Sequence, residues 1–219
     1  MRVLLTAFLF LALPGTAAAA QLSLRLETSS GVQYGSAHEV SGRLTEAGAP
    51  LPGQAVDIEV RAYPFHGGFR RLATLTTASD GTFTFERRFE RNTQIRAMAP
   101  ALGALSPTVQ AYVFPRPSST FKALDGGRRL RITQILRTPR GVRLTAKTIF
   151  YLGPKTAKSA PALASARPRL LAPGRFSATA TVPLPASWKG AFRYGSCFGY
   201  SPGSGLGDPS VTCPKRYRF

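Results

Sequence analysis

Cysteine is scarce in this chain, since Cys197 and Cys213 are the only two among 219 residues. Histidine is equally rare, and both His38 and His66 lie far upstream of the cysteines. A structural zinc site needs about four ligands, and a cysteine nucleophile needs a base beside it. The sequence therefore favours a structural disulfide between Cys197 and Cys213 over a metal site or a reactive thiol, and it predicts no cofactor.

Long apolar runs are missing after the N-terminus. The first residues, MRVLLTAFLFLALPGTAAAA, combine one arginine, a short apolar run and small residues in an A-x-A pattern. This arrangement is typical of a secretory signal peptide, 1–20, and we predict cleavage before Gln21. No later segment has the roughly 18 uninterrupted apolar residues that a membrane helix needs. We expect a secreted or cell-surface protein without a membrane span, in a compartment where disulfides form.

Acidic residues are nearly absent from one half of the chain. Residues 21–115 carry nine basic and eight acidic side chains, a net charge of +1. Residues 116–219 carry nineteen basic side chains and only two acidic ones, Asp125 and Asp208, a net charge of +17. A coding bias toward arginine would not remove acidic residues from one half alone. Such a surface attracts polyanions over a Debye length of about 8 Å at physiological salt.

The candidate polyanion-binding residues all belong to this basic half. They are Arg128, Arg129, Arg131, Arg143, Lys147 and Arg193. Outside a cell, the available polyanions include teichoic acids, acidic polysaccharides and anionic lipid headgroups. We expect the partner to be an anionic polymer or cell-wall polysaccharide, and we do not expect nucleic acid as the physiological partner.

Alternating apolar and polar residues predict short strands throughout the chain, and no long helical periodicity is present. In the first half, AVDIEVRA and TFTFERRF alternate in this way, and the Asp80-Gly81 pair between them is a hairpin turn signal. In the second half, GVRLTAKTIFYLG and GRFSATATVPLP place Phe150 and Phe176 on inward faces. In the first of these segments, Val142 and Leu144 share the inward face with Phe150, and the outward residues include Arg143, Lys147 and Tyr151. The predicted fold class is all-β.

The first half also resembles a known family. The residues that carry the resemblance are Gly48, Pro50, Leu51, Gly53, Val56, Thr77, Asp80, Gly81 and Phe83. With them, residues 22–115 are similar to the bacterial extracellular Ig-like domains grouped with carboxypeptidase regulatory-like, prealbumin-type modules. The resemblance implies an Ig-like β-sandwich for residues 21–115. It implies no single activity, because such modules act as spacers, stabilisers, adhesins or carbohydrate binders.

The segment FPRPSST, which begins at Phe114, separates the two halves. Its prolines favour a short, stiff, extended connection, so residues 116–120 are predicted to be a linker. Residues 121–219 are then predicted to form a second, basic β-sandwich with one disulfide. The whole chain is expected to contain two Ig-like β-sandwich domains in tandem after the signal peptide.

Two other functions are compatible with the sequence. Trp188 and Tyr200 flank a strand rich in aromatic residues, and together they could form a platform for a carbohydrate-binding module. A hydrolase is the less favoured alternative, because neither G-x-S-x-G nor H-E-x-x-H occurs in the chain. The leading hypothesis is a non-enzymatic binding or structural module at the cell surface or in the extracellular matrix.

Overall fold

The computed structural model describes residues 19–27, 31–188 and 191–219. Most of the predicted signal peptide therefore lies outside the described residues. The described part of the chain is all-β, which confirms the predicted fold class. Only short 3-10 helices interrupt the strands, at Pro100–Leu102, Asp125–Gly127 and Ala186–Trp188.

The N-terminal part, residues 19–115, is built from short strands that follow the predicted alternation. They are β1 (Ala20–Leu26), β2 (Val32–Gln33), β3 (Ala37–Glu46), β4 (Ala49–Pro50), β5 (Ala55–Ala62), β6 (Arg70–Thr76), β7 (Thr82–Arg88), β8 (Thr93–Ala99), β9 (Ala104–Leu105), β10 (Val109–Ala111) and β11 (Val113–Phe114).

The remaining strands belong to the C-terminal part, residues 116–219. They are β12 (Arg116–Leu124), β13 (Arg129–Arg137), β14 (Thr148–Pro154), β15 (Ser159–Ala166), β16 (Arg169–Ala172), β17 (Arg175–Pro183), β18 (Phe192–Phe198) and β19 (Arg216–Arg218).

The N-terminal part contains two antiparallel sheets that pack on one another. Sheet I contains β1, β3, β4 and β7, and sheet II contains β5, β6, β8, β9 and β10. Sheet III is the small parallel pair of β2 and β11. Val40 and Leu44 from sheet I belong to the same buried cluster as Ile58 and Ile95 from sheet II. Alternate residues of each strand fill this core because a strand points successive side chains to opposite faces.

The C-terminal part is a second packed pair of antiparallel sheets. Sheet IV has the strand order β12-β13-β17-β16, and sheet V has the order β18-β14-β15-β19. Ile132 of sheet IV and Phe150 of sheet V are fully buried between them. Buried Gln134 also crosses the interface, because its Nε2 atom donates a hydrogen bond of 2.6 Å to the hydroxyl of Ser196. Phe150 and Phe176 are buried as predicted.

The outer face of sheet V is covered, which the sequence pattern did not indicate. Tyr151 was predicted to point outward, yet its side chain is fully buried. Tyr217 packs over it with a ring-centroid distance of 5.2 Å, and the Tyr151 hydroxyl donates a 2.6 Å hydrogen bond to the carbonyl of Pro214. The C-terminal segment therefore gives this sheet a second apolar face.

The segment predicted to be a linker is part of a strand. Residues 116–120 open β12, and every residue of that strand is paired with β13. Pro117 is compatible with this position because β12 is an edge strand, where a missing N–H group leaves no ladder bond broken. The local prediction of a linker was wrong, whereas the division into two domains stays a prediction.

Residues 142–147 form an unpaired extended segment that leads into β14, although a strand was predicted there. Its alternation is nevertheless as predicted, with Val142 and Leu144 buried and Arg143 and Lys147 exposed. The Asp80-Gly81 turn also differs from the prediction. It connects β6 of sheet II to β7 of sheet I, so it does not close a hairpin.

The disulfide loop joins the two parts of the molecule. Cys197 and Cys213 are bonded, as predicted. Leu206, inside the loop, is fully buried in a hydrophobic cluster that joins the core of the N-terminal part to Leu136 and Phe176 of the C-terminal part. Asn92 of the N-terminal part donates to the carbonyl of Gly207 at 2.7 Å through its side chain and accepts from the backbone N–H of Val113 at 2.8 Å. The two parts therefore share a buried, hydrogen-bonded junction.

Candidate functional site

The outward face of sheet IV carries basic side chains and no acidic ones, and we call it the basic face. The strand register determines its composition, because residues paired across strands point to the same side. The inward residues Leu130, Ile132, Gln134 and Leu136 of β13 are buried, so the alternate residues of β13 point outward. The basic members of the face are Arg116, Lys122, Arg129, Arg131, Arg137, Arg169 and Arg175.

Three arginines stand side by side at one end of the basic face. Arg137 of β13 is paired with Arg116 of β12 on one side and with Arg175 of β17 on the other. We call these three residues the arginine row. Directly opposed side chains in an antiparallel pair have Cβ atoms about 5 Å apart, so the row spans about 10 Å. All three arginines are exposed to solvent.

A second basic pair lies at the other end of the face. Lys122 is paired with Arg131, and Arg129 extends the charge toward the end of β13. Arg131 lies six residues from Arg137 along the strand, which corresponds to about 20 Å. Between the two ends lies a stripe of paired hydroxyl side chains, Thr120, Thr133 and Thr179. Thr120 donates to the Thr133 carbonyl at 3.4 Å and Thr179 donates to the Thr133 hydroxyl at 3.3 Å, so the Thr133 hydroxyl is the one of the three that can donate to an anion spanning the two ends.

The arginine row forms no ion pair within the described part of the chain, and Glu90 is the one acidic residue in the cleft that Arg116 and Arg137 line. Arg129 is the one member of the basic face there with a carboxylate partner, Asp125, four residues earlier in the sequence. No acidic side chain lies within 4.0 Å of the guanidinium groups of Arg116, Arg137 or Arg175 in that part. Like charges directly opposite one another destabilise a sheet. An anion bound across the row would relieve this repulsion.

The basic surface continues onto the N-terminal part. A cleft of about 340 Å³ is lined by Arg116 and Arg137 together with Arg88, and it shares Phe89 and Glu90 with a neighbouring cleft. That neighbouring cleft, of about 370 Å³, is lined by Arg70, Arg87, Arg88 and Arg91. The surface around the arginine row is therefore formed by both parts of the chain.

The structure places the polyanion-binding residues predicted from sequence on different surfaces. Arg129 and Arg131 lie on the basic face, and Arg128 lies at its edge after the 3-10 helix Asp125–Gly127. Arg143 and Lys147 belong to the extended segment before β14. Arg193 lies on β18 and donates to the carbonyl of Ala157 at 3.3 Å.

Arg193 points away from sheet IV. Its neighbours Phe192 and Tyr194 point toward that sheet, where both pack against Phe121 with ring-centroid distances of 5.4 and 5.0 Å. Because adjacent strand residues alternate, Arg193 faces the opposite side of the sandwich. The predicted set therefore does not form one surface.

From the sequence, Arg137, Arg169 and Arg175 are assigned to strand ends of the basic half without being selected as binding residues, and Arg116 and Lys122 are not assigned to the basic surface at all. Arg116 was assigned to a linker, and the pairing of β12 with β13 and of β13 with β17 cannot be deduced from alternation. The signal that could have found these residues is the absence of acidic residues from all four strands of the sheet.

Trp188 and Tyr200 do not form one platform. Trp188 precedes β18 and Tyr200 follows it, and a strand of that length extends over about 23 Å. Both side chains are half-buried, and Trp188 packs against the core between sheets IV and V. The structure therefore separates the two predicted carbohydrate-binding aromatics.

Across residues 19–27, 31–188 and 191–219, no three His, Cys, Asp or Glu side chains come together as possible ligands of a metal ion. Within the same ranges, no helix is long and apolar enough to cross a membrane. No protein-family model matches the sequence, and no match is found among curated proteins. The resemblance of residues 22–115 to extracellular Ig-like domains stays a prediction.

Proposed function

We propose that this protein is an exported, non-enzymatic β-sandwich protein with Ig-like domains that binds anionic polymers through its basic face. The arginine row is the observation that carries this proposal. Three guanidinium groups are held side by side on paired strands without carboxylate partners in the described chain. Guanidinium groups bind the oxygens of phosphate, sulfate or carboxylate groups in a bidentate manner.

The geometry favours a polymer over a small anion. The arginine row and the Lys122–Arg131 pair are separated by about 20 Å along β13, which exceeds the Debye length of about 8 Å at physiological salt. A single phosphate or sulfate group therefore cannot neutralise both ends. A chain with repeating anionic groups can contact both ends at once and lie across the hydroxyl stripe of Thr120, Thr133 and Thr179.

The disulfide supports the compartment in this proposal. Cytosolic proteins rarely keep structural disulfides, whereas exported proteins do so commonly. The bond between Cys197 and Cys213 therefore favours an oxidising environment outside the cytoplasm. Teichoic acids and acidic polysaccharides are the anionic polymers expected there.

The proposal is tested by titrating the purified mature protein with long-chain polyphosphate, with a sulfated polysaccharide such as heparin and with a neutral glucan. We expect binding to both polyanions and no binding to the glucan at low salt. Log affinity should fall linearly with log salt, because each contact releases condensed counterions. The two anionic polymers distinguish a phosphate-based partner from a sulfated or carboxylated one.

Binding to the neutral glucan with little salt dependence would contradict the proposal. Equal binding of a variant in which Arg116, Arg137 and Arg175 are all changed to glutamine would contradict it as well. All three side chains are exposed, so this variant keeps the core of the sandwich unchanged.

A further inference from the structure

A second surface feature lies apart from the basic face. It is a groove of about 880 Å³ between the extended segment 141–145 and the hairpin formed by β16 and β17. We call it the amphipathic groove, because its floor is apolar and two arginines lie along it. A volume of this size is in the range that binds small-molecule ligands.

The floor of the groove is formed by core residues that reach the surface. Val142, Leu144 and Phe176 line it, and their side chains are 8%, 6% and 4% exposed. Leu170 of β16 forms one wall and is 64% exposed. A leucine this exposed beside a concave apolar surface leaves apolar area that a ligand can bury.

One side of the groove is formed by a turn that is tied to the end of β13. The turn between β16 and β17 contains Gly174, whose carbonyl accepts a 2.9 Å hydrogen bond from the backbone N–H of Thr138. Gly174 has a φ of +73°, and a Cβ atom there would lie 2.6 Å from the carbonyl oxygen of Thr138. The turn is therefore held against the end of β13, and the groove exists before any ligand binds.

Charge at the groove has one sign. Arg143 and Arg167 both line it, and none of its lining residues is acidic. Within the described chain, neither guanidinium group forms an ion pair. Apolar surface and two available guanidinium groups in one concave site fit a molecule that has both an alkyl chain and an anionic head group.

We propose that the amphipathic groove binds a single-chain anionic amphiphile, with its alkyl chain on Leu144, Leu170 and Phe176 and its head group between Arg143 and Arg167. This site does not depend on the basic face. A free fatty acid and a single-chain anionic lipid both have this combination of an alkyl chain and an anionic head group. A bilayer surface is a different partner, since it would engage the neighbouring Leu171, which is 56% exposed and does not line the groove.

The direct test is calorimetric titration of the full mature chain with octanoate, decanoate and dodecanoate below their micelle concentrations. Burial of each added methylene should tighten binding by about two- to fourfold. Dodecyltrimethylammonium has the same chain with a cationic head, and it should not bind detectably. Affinity that is independent of chain length, or equal binding of the cationic amphiphile, would overturn the proposal.

Variants separate the head-group and chain contacts. Arg143→Gln and Arg167→Gln should each weaken dodecanoate binding by about tenfold or more, since each removes a charge-assisted hydrogen bond. Arg140→Gln is the matched control, because Arg140 is exposed next to Gly141 of the groove, does not line the groove and is not a member of the basic face. An equal loss in the control would overturn the assignment of the head-group site.

Substitutions at the two exposed leucines distinguish ligand binding in the groove from docking of the protein on a bilayer. Leu170→Ser should weaken dodecanoate binding, and Leu171→Ser should leave it unchanged. Both side chains are exposed, so neither substitution removes a core contact. Binding of the protein to anionic phospholipid vesicles that is lost equally in both variants, without binding of monomeric dodecanoate, would overturn the proposal.

Discussion

The outer faces of sheet I and sheet IV have the same geometry but differ in charge, because sheet I carries both acidic and basic side chains and sheet IV carries only basic ones. Both are solvent-facing sides of antiparallel sheets in which alternate residues point outward. On sheet I, Arg25 and Arg43 share the face with Glu39 and Glu86. On sheet IV, seven basic residues share the face with hydroxyl and apolar side chains, and no acidic residue lies on its strands.

The arginines of the two faces also differ in their contacts. On sheet I, the Nε atom of Arg25 donates to the Ser41 hydroxyl at 3.2 Å, and that of Arg43 donates to the Asp80 carbonyl at 3.1 Å. Within the described part of the chain, neither these two arginines nor the arginine row of sheet IV forms an ion pair, so the faces differ in the acidic residues that share them and not in ion pairing. Seven of the nineteen basic residues in 116–219 therefore lie on one face, where paired strands align them, whereas the face of sheet I combines both signs of charge. This difference supports the proposal that the basic face binds anions.

The largest expected effect comes from reversing charge on one face at a time. The Arg137→Glu/Arg175→Glu variant should bind polyphosphate at least about a hundredfold more weakly at low salt, because two charge-assisted contacts are lost. The matched variant Arg25→Glu/Arg43→Glu changes the net charge equally on sheet I and should lose less than about tenfold, through long-range repulsion alone. Fluorescence titration measures both affinities, and equal losses would remove the distinction between the faces.

Removing the disulfide should lower the unfolding free energy of the protein while leaving the affinity of the basic face for polyphosphate nearly unchanged. The Cys197→Ala/Cys213→Ala variant should lose about 3 kcal/mol of unfolding free energy, because the bond closes a loop of about 15 residues. The loop holds Leu206 and Gly207 against the N-terminal part, so the loss should weaken the junction first.

Denaturant unfolding measures the stability of this variant, and polyphosphate titration measures its affinity. The affinity should change by less than about threefold, since the paired strands β12, β13 and β17 keep the arginines in register, although Leu136 and Phe176 share a buried cluster with Leu206. A loss of affinity as large as that of the Arg137→Glu/Arg175→Glu variant would show that the binding surface depends on the junction.

The Asn92→Ala substitution is a second way to weaken the junction without touching either face. It removes the donor to the Gly207 carbonyl and the acceptor for the Val113 N–H group, both of which are buried. Buried polar groups left without partners cost about 1–3 kcal/mol each, so we expect a loss of about 2 kcal/mol or more. Calorimetric melting measures this, and an unchanged melting profile would contradict the assignment of Asn92 to the junction.

Replacing a single arginine by glutamine on sheet I or on sheet IV should change the salt dependence of polymer binding to different extents. Arg137→Gln should reduce the slope of log affinity against log salt by about one unit for a highly charged polymer. Arg25→Gln, the matched change on sheet I, should leave the slope unchanged. A slope that falls equally in both variants would mean that the polymer contacts both faces.

The smallest expected effect concerns the covered face of sheet V. Burial, together with neighbouring Tyr217, raises the pKa of the Tyr151 phenol above its usual value of 10.0. A raised pKa in the folded state means that the stabilisation is present below pH 10 and is lost as the pH rises through the folded pKa. The unfolding free energy should therefore fall at alkaline pH, and Tyr151→Phe should reduce that fall. An identical alkaline profile in the variant would contradict this role.

The sequence predicted the faces of strands better than their partners. Alternation identified Phe150 and Phe176 as inward residues, and it held even in residues 142–147, where no strand forms. An extended chain has a period of two whether or not it is paired, so burial can be read locally. Alternation failed at Tyr151, because a segment distant in sequence covers the second face of β14.

The candidate site could be predicted only in part, because it depends on register. The charge difference between the two halves of the chain was visible in the sequence, and the structure places Arg129 and Arg131, both selected from the sequence, on one face. The arginine row could not be predicted, since strand pairing places Arg137 beside Arg116, 21 positions earlier, and Arg175, 38 positions later. Proline at 117 favoured a linker, whereas the edge position of β12 accommodates it in a strand.

Arginine-selective chemical labelling, read by mass spectrometry with and without long-chain polyphosphate, tests the central claim most directly. It reports on each guanidinium group of the unmodified protein in one experiment. The account predicts that polyphosphate protects Arg116, Arg137 and Arg175 from labelling while Arg25 and Arg43 stay equally reactive. Equal protection of both sets, or protection of the sheet I arginines alone, would contradict it.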